Sequence, residues 1–226
     1  MNPNQTSSSK PYRLVVAITG ASGVILGIRL LEISRHLEIE THLILSPAAR
    51  LTINQETQWK PDEVLALANF NYSYRDIGAS LASGSFNTKG MVVIPCSIKT
   101  LSAIANSYAD DLIVRAADVT LKEGRPLLLV VREAPLHRGH LRLMTLAAEA
   151  GAIIFPPVPA FYARPGSLRP AVQPGGLIPP ERNTADVKPA VQPDSLDDLV
   201  DNIVGRVLAR LGIDNQSYSE WSGLHK

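Results

Sequence analysis

Cysteine is almost absent from this chain of 226 residues, because Cys96 is the only one. A single cysteine excludes a disulfide framework within the chain and predicts a reducing compartment. The formal net charge is +1, which argues against nucleic-acid binding and against a polybasic membrane surface. No apolar run approaches the roughly 20 residues of a membrane span, and the polar residues 1–11 lack the apolar segment of a secretory signal. These absences predict a soluble, cytoplasmic protein with a disordered lead at 1–11.

The chain has enough apolar residues for a core, since 45% of it is hydrophobic. Runs typical of strands lie at 13–19, 41–45, 91–95, 127–131 and, more briefly, 152–154. They are apolar almost throughout, as in strands buried on both faces. Helical patterns occur at 22–37, 61–69, 98–106, 110–122, 138–150 and 195–211. This alternation predicts an α/β fold whose parallel sheet is covered on both sides and binds ligands at its carboxyl edge, where we expect every motif described below to fall.

A Pro- and Gly-rich stretch at 163–194 interrupts the pattern and shows no periodicity. The segment "PAVQP" occurs in it twice, and two copies are too few for a solenoid. We therefore expect a single α/β domain at 12–226 with an extended, mobile insert at about 166–194. A linker without chemistry is the simplest interpretation of that insert.

A glycine-rich turn, Gly20, Ala21, Ser22 and Gly23, follows the first strand. Gly20 permits the tight turn, Gly23 lets amides approach an anion, and the start of the next helix favours negative charge. Ser22 is expected to cap that helix and to donate to a phosphate. A dinucleotide site needs Asp or Glu after the second strand, where this chain has Ser46, so a mononucleotide fits better. A tight turn that binds nothing is the alternative.

Two further segments are rich in small or polar residues. The loop 76–86, "DIGASLASGSF", has small residues that would let its backbone lie close to a flat ligand. Ile77 and Phe86 are expected to anchor it. The alternative is a flexible surface loop. Residues 97–100, "SIKT", open a helix after the strand "MVVIP" and bring a second helix start and a cation to the same crevice. Cys96 has no adjacent base in the sequence, which favours a buried structural thiol over a nucleophile.

Charged residues accumulate around the strand "LLLVV". Arg115 and Lys122 are seven residues apart and share one helix face, while Arg132 and Glu133 end the strand. More cations than one mononucleotide needs indicate a second phosphate, on a substrate. The stretch 137–140, "HRGH", has no partner motif, which favours a helix-start histidine and a surface histidine over a metal site.

Together these motifs resemble the flavin prenyltransferase family, the UbiX/Pad-type proteins long described as aromatic-acid decarboxylases. The matching segments are "ITGASG", "DIGASLASGSF", "VVIPCSIKTLSAIANSYADDLIVRAADVTLKE", "LLLVVREAPLH", "GAIIFPPVPAFYARP" and "SLDDLVDNIVGRVLARLG". They cover nearly the whole chain outside both ends and the insert. The resemblance implies a three-layer, Rossmann-like (flavodoxin-like) parallel sheet of the flavoprotein decarboxylase-like kind. It also implies a homo-oligomer, a dodecamer built from trimers, with sites at subunit interfaces.

The resemblance also implies site residues, motif by motif. FMN would be held by Gly20, Ala21, Ser22, Ser46, Ser97, Ile98, Lys99, Thr100 and Arg132. The phosphate of dimethylallyl phosphate would be held by Lys122, Tyr162 and Arg206, with Arg115 nearby. The catalytic set would be Ser22, Glu56, Glu133 and Trp221.

The implied reaction prenylates reduced FMN without a metal and supplies a UbiD-type decarboxylase. The allylic carbon joins flavin N5 with loss of phosphate, and a second bond, to C6, closes a fourth ring. Lys122, Tyr162 and Arg206 can stabilise the departing phosphate in place of Mg²⁺. Glu133 can move protons at N5, with Ser22 as a relay. The π faces of the flavin and of the C-terminal tryptophan can stabilise allylic cation character.

Three other functions are possible for a protein with these motifs. A peptidyl-cysteine decarboxylase would carry a "PASANT"-like segment where this chain has "PCSIKT", and a histidine soon after the first turn, which is missing between Gly23 and Arg35. A flavin carrier would not need the phosphate-binding cations. Direct decarboxylation of an aromatic acid is the third. The chain departs from the family at the insert, which separates Tyr162 from Arg206 in the sequence. An insert that folds across the opening of the substrate pocket would act as a lid or would block the substrate.

Overall fold

The structure, a computed structural model, describes residues 12–159 and 196–218. The chain divides after Pro157 into two compact units. The strands of the first unit are β1 (Arg13–Ile18), β2 (Glu40–Leu45), β3 (Phe70–Tyr72), β4 (Gly90–Cys96), β5 (Leu127–Val131) and β6 (Ile153–Ile154). Its helices are α1 (Ile25–His36), α2 (Pro47–Glu56), α3 (Pro61–Leu65), α4 (Ile98–Ala105), α5 (Leu112–Lys122) and α6 (Arg138–Glu149). The second unit contains α7 (Leu196–Arg210). The predicted lead and insert lie outside the described residues, and the single domain at 12–226 stays a prediction.

The strands form one parallel sheet in the order β3-β2-β1-β4-β5-β6. This is the order of a doubly wound Rossmann-type sheet, which reverses its winding direction between β1 and β4. The crevice at such a reversal, beyond the carboxyl ends of the strands, is where open α/β sheets bind ligands. The segments that leave β1 and β4 there are the Gly20–Gly23 turn and the start of α4.

Helices cover both faces of the sheet, as predicted. In β1 the side chains of Val15 and Ala17 belong to a core cluster shared with α4 and α5. On the opposite face α1 lies against the sheet at Gly27, where an added Cβ would come within 2.5 Å of the Ile94 carbonyl oxygen. The three-layer, Rossmann-like fold class is therefore confirmed. No helix among the described residues is long and apolar enough to cross a membrane.

Side-chain caps start several helices. The cap residues accept a hydrogen bond from a backbone amide of the first turn; they are Ser46 for α2, Ser97 for α4, Asp111 for α5 and His137 for α6. The expectation that Ser22 caps the first helix is wrong. Gly23 takes a positive φ of 91°, which delays the helix until Ile25, and Val24 precedes it without a side-chain cap.

The loop 76–86 is anchored at its end but not at its start. Phe86 packs edge-on against the His42 ring and beneath the Arg13 guanidinium, as an anchor should. Ile77 is 57% exposed, so its predicted anchoring role is wrong. Arg125 donates to the carbonyl oxygens of Gly84 and Phe86, which ties the end of the loop near the amino edge of the sheet. The approach of this backbone to a flat ligand stays a prediction.

Candidate active site

The two turns at the winding reversal are joined by one buried hydroxyl, that of Thr19. Its Oγ1 accepts a hydrogen bond from the Ser97 amide at 2.8 Å and donates to the Pro95 carbonyl oxygen at 2.8 Å. Thr19 is 1% exposed. Because both hydrogen bonds cross from β1 to the end of β4, Thr19 sets the spacing between the glycine turn and the start of α4.

The glycine turn presents donors to the crevice. The amides of Gly20 and Ser22 have no acceptor within the described part of the chain, and Ser22 is exposed. The Gly23 amide donates to Oε2 of Glu56 at 2.8 Å, so the end of α2 is tied to the turn. A Cβ on Gly20 would lie 2.3 Å from that of Ala48, so only glycine allows this close approach to α2. Free amides in this arrangement suit an anionic ligand.

The start of α4 forms the second half of the crevice. The Ser97 hydroxyl accepts from the Thr100 amide at 3.3 Å and donates to Thr100 Oγ1 at 3.1 Å. The amides of Ile98 and Lys99 find no acceptor among residues 12–159 and 196–218. A cleft of about 550 Å³ opens beside this turn, between α4 and α6, and is large enough for a small-molecule ligand.

Ser46 stands where a dinucleotide-binding protein would have its carboxylate. Its hydroxyl accepts from the Ala49 amide at 3.0 Å, and its own amide donates to the Ile18 carbonyl oxygen at 3.1 Å. Ser46 is 7% exposed. The hydroxyl proton has no acceptor among the described residues, so Ser46 can cap α2 and still donate to a ligand.

Arg132 and Glu133 follow β5 at the same edge of the sheet, and both are exposed. The Arg132 amide donates to the Cys96 carbonyl oxygen at 3.1 Å, which places this segment next to the end of β4. Oε1 of Glu133 accepts from the Ala134 amide at 3.0 Å. The other carboxylate oxygen has no partner in the described residues, so Glu133 can accept or return a proton.

Cys96 is structural, as the sequence favours. The side chain is fully buried, and this burial raises the pKa of the thiol far above its usual value. A thiol held in its neutral form is a poor nucleophile.

His137 is a helix-start residue, as the sequence favours, since its Nδ1 accepts a hydrogen bond from the Gly139 amide at 2.9 Å. Among the described residues, no three His, Cys, Asp or Glu side chains are grouped to hold a metal ion.

The expectation that every motif falls at the carboxyl edge is wrong for Lys122. Asp111 caps α5 at that edge, and the helix spans about 16 Å. Its last residue therefore lies toward the amino edge, where the Met91 amide at the start of β4 donates to the Pro126 carbonyl oxygen. Lys122 pairs there with Glu123 at 3.3 Å. Arg115 is one turn into α5 and pairs with Asp118 at 2.9 Å.

Three of the predicted residues belong to other parts of the chain. Arg206 is an exposed residue of α7, in the second unit. Tyr162 and Trp221 lie outside the described residues. Their roles stay predictions.

Comparison with known proteins identifies the family. A family model described as "Flavoprotein" matches residues 2–159. The chain is 63% identical over 157 residues to the flavin prenyltransferase UbiX of Escherichia coli K12, across 69% of this chain and 83% of that protein. This chain belongs to the flavin prenyltransferase family.

Solved structures agree with this assignment. The fold matches AnUbiX (PadA1), solved in complex with FMN and dimethylallyl pyrophosphate, with a TM-score of 0.81 and 43% identity over 96% of this chain and all of that one. It also matches a dodecameric, FMN-dependent UbiX-like decarboxylase from Escherichia coli O157:H7, with a TM-score of 0.79 and 40% identity over 93% of this chain and all of that one. The resemblance, the flavin prenyltransferase function and the FMN requirement predicted from the sequence are confirmed.

The unpaired amides of the glycine turn and of α4 fit a phosphate-bearing flavin such as FMN. In this flavin prenyltransferase the Thr19 hydroxyl links these two groups of donors, and we expect it to set the separation between them. Sequence reasoning missed Thr19, Tyr74 and Asp111. The first of these has a local signal, because a polar residue at the end of an otherwise apolar strand needs a partner when it is buried.

We expect Thr19→Val to weaken FMN binding and to lower the free energy of unfolding by about 2 kcal/mol, because the Ser97 amide then loses its acceptor. The Pro95 carbonyl oxygen keeps its hydrogen bond from the residue 19 amide, at 3.3 Å. Flavin fluorescence titration and chemical denaturation measure the two effects. Thr19→Ser keeps the hydroxyl and should remain close to the original protein in FMN affinity. A loss in Thr19→Ser as large as that in Thr19→Val would contradict the role of the hydroxyl, because the serine variant still carries it.

Proposed function

We propose that the protein transfers a dimethylallyl group from dimethylallyl phosphate to N5 and then C6 of reduced FMN. Phosphate is released, no metal takes part, and the prenylated flavin passes to a UbiD-type decarboxylase in the cytoplasm. The observation that supports this most is the pair of amide-lined turns joined through Thr19, with Glu133 next to them at the end of β5. Reduced FMN supplies the nucleophilic ring atoms, and the protein supplies donors, orientation and proton transfer.

Each predicted residue at the carboxyl edge has a task in this proposal. The amides of the two turns, with the hydroxyls of Ser22 and Ser46, hold FMN. Arg132 neutralises negative charge beside it. Glu133 accepts and returns protons near the reacting edge of the flavin, and the exposed Ser22 hydroxyl relays them. Glu56 acts on the glycine turn through the Gly23 amide.

The phosphate of the donor is the leaving group, so cations must stabilise it as charge develops. Lys122, Tyr162 and Arg206, with Arg115 nearby, are proposed for this task. AnUbiX was solved with the pyrophosphate form of the donor. We propose the monophosphate as the donor, as the family resemblance implies, although Asp197, Asp198 and Asp201 in α7 have the spacing of an Asp-rich Mg²⁺ motif.

The position of Lys122 supports a site shared between copies of the chain. A lysine near the amino edge of the sheet cannot reach the glycine turn of its own chain, because about 16 Å of α5 separates it from the carboxyl edge. A UbiX-like relative forms a dodecamer. We therefore propose a homo-oligomer, a dodecamer, in which one copy supplies Glu133 and a neighbouring copy supplies Lys122.

Mixing two impaired variants tests the shared site. Glu133→Gln and Lys122→Ala should each lower the rate of prenyl transfer at least about a hundredfold alone. When they are unfolded together and refolded as mixed oligomers, about a quarter of the sites should combine an intact Glu133 with an intact Lys122. The initial rate at which prenylated flavin forms, followed by mass, should therefore return to about a quarter of the original rate.

A matched control keeps the test specific. Each variant refolded alone should keep its lowered rate, and size-exclusion chromatography should show the same oligomer for the mixture and for the original protein. Failure of the mixed oligomers to regain activity would show that Glu133 and Lys122 serve one site within one chain, or that Lys122 serves none.

A further inference from the structure

Asp111 is a buried carboxylate with several donors. It is 4% exposed. Its Oδ1 accepts from the Val114 amide at 3.0 Å, which caps α5. Its Oδ2 accepts from the Tyr74 hydroxyl at 2.6 Å and from the Lys99 ammonium at 3.1 Å. The short distance to Tyr74 is typical of a hydrogen bond to an ionised acceptor.

Lys99 closes this group into a triangle. Its Nζ also donates to the Tyr74 hydroxyl at 2.9 Å and lies 5.6 Å from the centre of the Tyr74 ring. The hydrogen bond to Tyr74 and the charge of Asp111 raise the pKa of Lys99, so the ammonium stays charged throughout the neutral range. The Tyr74 carbonyl oxygen in turn accepts from the Leu112 amide at 2.9 Å, which fixes the segment after β3 to the start of α5.

The contacts of the triangle oppose a movement of the Lys99 ammonium toward a ligand phosphate. If Lys99 turned toward a bound phosphate, Asp111 would lose its cation and keep only the Tyr74 hydroxyl and the Val114 amide as donors, which is unfavourable for a carboxylate whose side chain is 5% exposed. The backbone of Lys99, in contrast, lies in the first turn of α4 with its amide unpaired among the described residues. The side chain therefore holds α4 in place while the backbone faces the crevice.

We propose that Asp111 and Tyr74 are positioning residues for flavin binding: through the Lys99 side chain they fix the first turn of α4, whose amides hold FMN. This inference rests on the proposed placement of FMN at that turn. In this proposal the contacts among Tyr74, Lys99 and Asp111 hold α4, α5 and the segment after β3 in fixed positions. The inference also assigns two of the three N–H donors of the Lys99 ammonium to Tyr74 and Asp111 rather than to FMN.

FMN affinity measured by fluorescence titration separates positioning from direct binding. Positioning predicts that Asp111→Asn, which keeps the α5 cap but loses the charge, and Lys99→Met each weaken FMN binding about tenfold. The double variant should be no weaker than either single variant, because both changes break one tie. Lys99→Arg should restore most of the affinity, and Tyr74→Phe should show a smaller loss. Direct binding by the ammonium predicts the opposite sign for Asp111→Asn, since the released lysine would bind FMN as well or more tightly.

Two reference variants decide what a negative result means. Lys89→Met removes a lysine charge at the amino edge of the sheet and should leave FMN affinity unchanged. Ser97→Ala removes the cap of α4 and reports whether FMN binding depends on that turn. Loss of affinity in Ser97→Ala, with no loss in the Asp111 and Lys99 variants, would overturn the positioning role alone. No loss in any of them would overturn the placement of FMN at α4 as well.

Discussion

Glu133→Gln should lower the rate of prenyl transfer by a factor of about 10² to 10⁴, the range expected when a positioned general acid–base is lost. The amide keeps the shape of the side chain and can still accept from the Ala134 amide, so the segment after β5 should not move. FMN affinity should therefore stay within about twofold, because the loss concerns proton transfer rather than binding. Anaerobic single-turnover assays with reduced FMN measure the rate, and fluorescence titration measures the affinity.

Glu149→Gln is the matched control for this experiment. Glu149 is an exposed residue at the end of α6, and its replacement removes one carboxylate from the surface. Its rate of prenyl transfer should equal that of the original protein. A Glu133→Gln variant with an unchanged rate would contradict the proton-transfer role, and one that no longer binds FMN would give Glu133 a binding role instead.

Gly27→Ala should lower the free energy of unfolding by about 3 kcal/mol, the upper part of the usual range for overpacking. The new methyl group would lie 2.5 Å from the Ile94 carbonyl oxygen and 2.8 Å from the Ile18 side chain. A backbone carbonyl cannot move aside as the end of a flexible side chain can, so α1 would have to leave the sheet. Urea denaturation followed by circular dichroism measures the loss.

Gly78→Ala provides the comparison. An added Cβ there would meet only Asp76 Oδ1, at 3.6 Å, which is an ordinary contact. Its free energy of unfolding should stay within about 0.5 kcal/mol of the original, as for most surface substitutions. A small loss in Gly27→Ala would mean that α1 does not lie as close to β1 and β4 as described.

The strands buried on both faces were predictable from the sequence, whereas two of the more exposed elements were missed. The apolar runs at β1, β2, β4 and β5 reveal strands buried on both faces. In contrast, β3 (Phe70–Tyr72) is a three-residue edge strand without buried residues, so no apolar run marks it. The helix α2 buries only Ala49 and Ile53 and was missed too. Its signal was present in Ser46 and Pro47, a cap followed by a proline at the first helical position.

The candidate site was predictable where a single loop carries it. The glycine turn and the start of α4 follow adjacent strands, so sequence order alone brings them to one edge. The proposed distribution of site residues between copies does not follow from the order of the motifs. The spacing of Arg115 and Lys122 shows that they share a helix face, but it does not show that the helix runs back to the amino edge. That fact follows from the direction of a helix between parallel strands.

Contacts between distant segments lie beyond sequence patterns. Thr19 meets Ser97 across 78 positions, and Tyr74 meets Asp111 across 37. No periodicity links such positions, since each contact depends on how strands and helices pack. Asp111 has the local signature of a helix cap, whereas its second oxygen finds Tyr74 and Lys99 only in the folded chain.

The central claim is most directly tested by the mass of the flavin that the protein releases. The protein is incubated anaerobically with reduced FMN and dimethylallyl phosphate in the presence of a metal chelator. We expect the flavin to gain about 68 Da, the mass of one five-carbon prenyl unit, with one phosphate released for each flavin modified. FMN that is bound but returned unmodified would contradict the claim and favour a flavin carrier. Product formed only after metal is restored would contradict the metal-free mechanism.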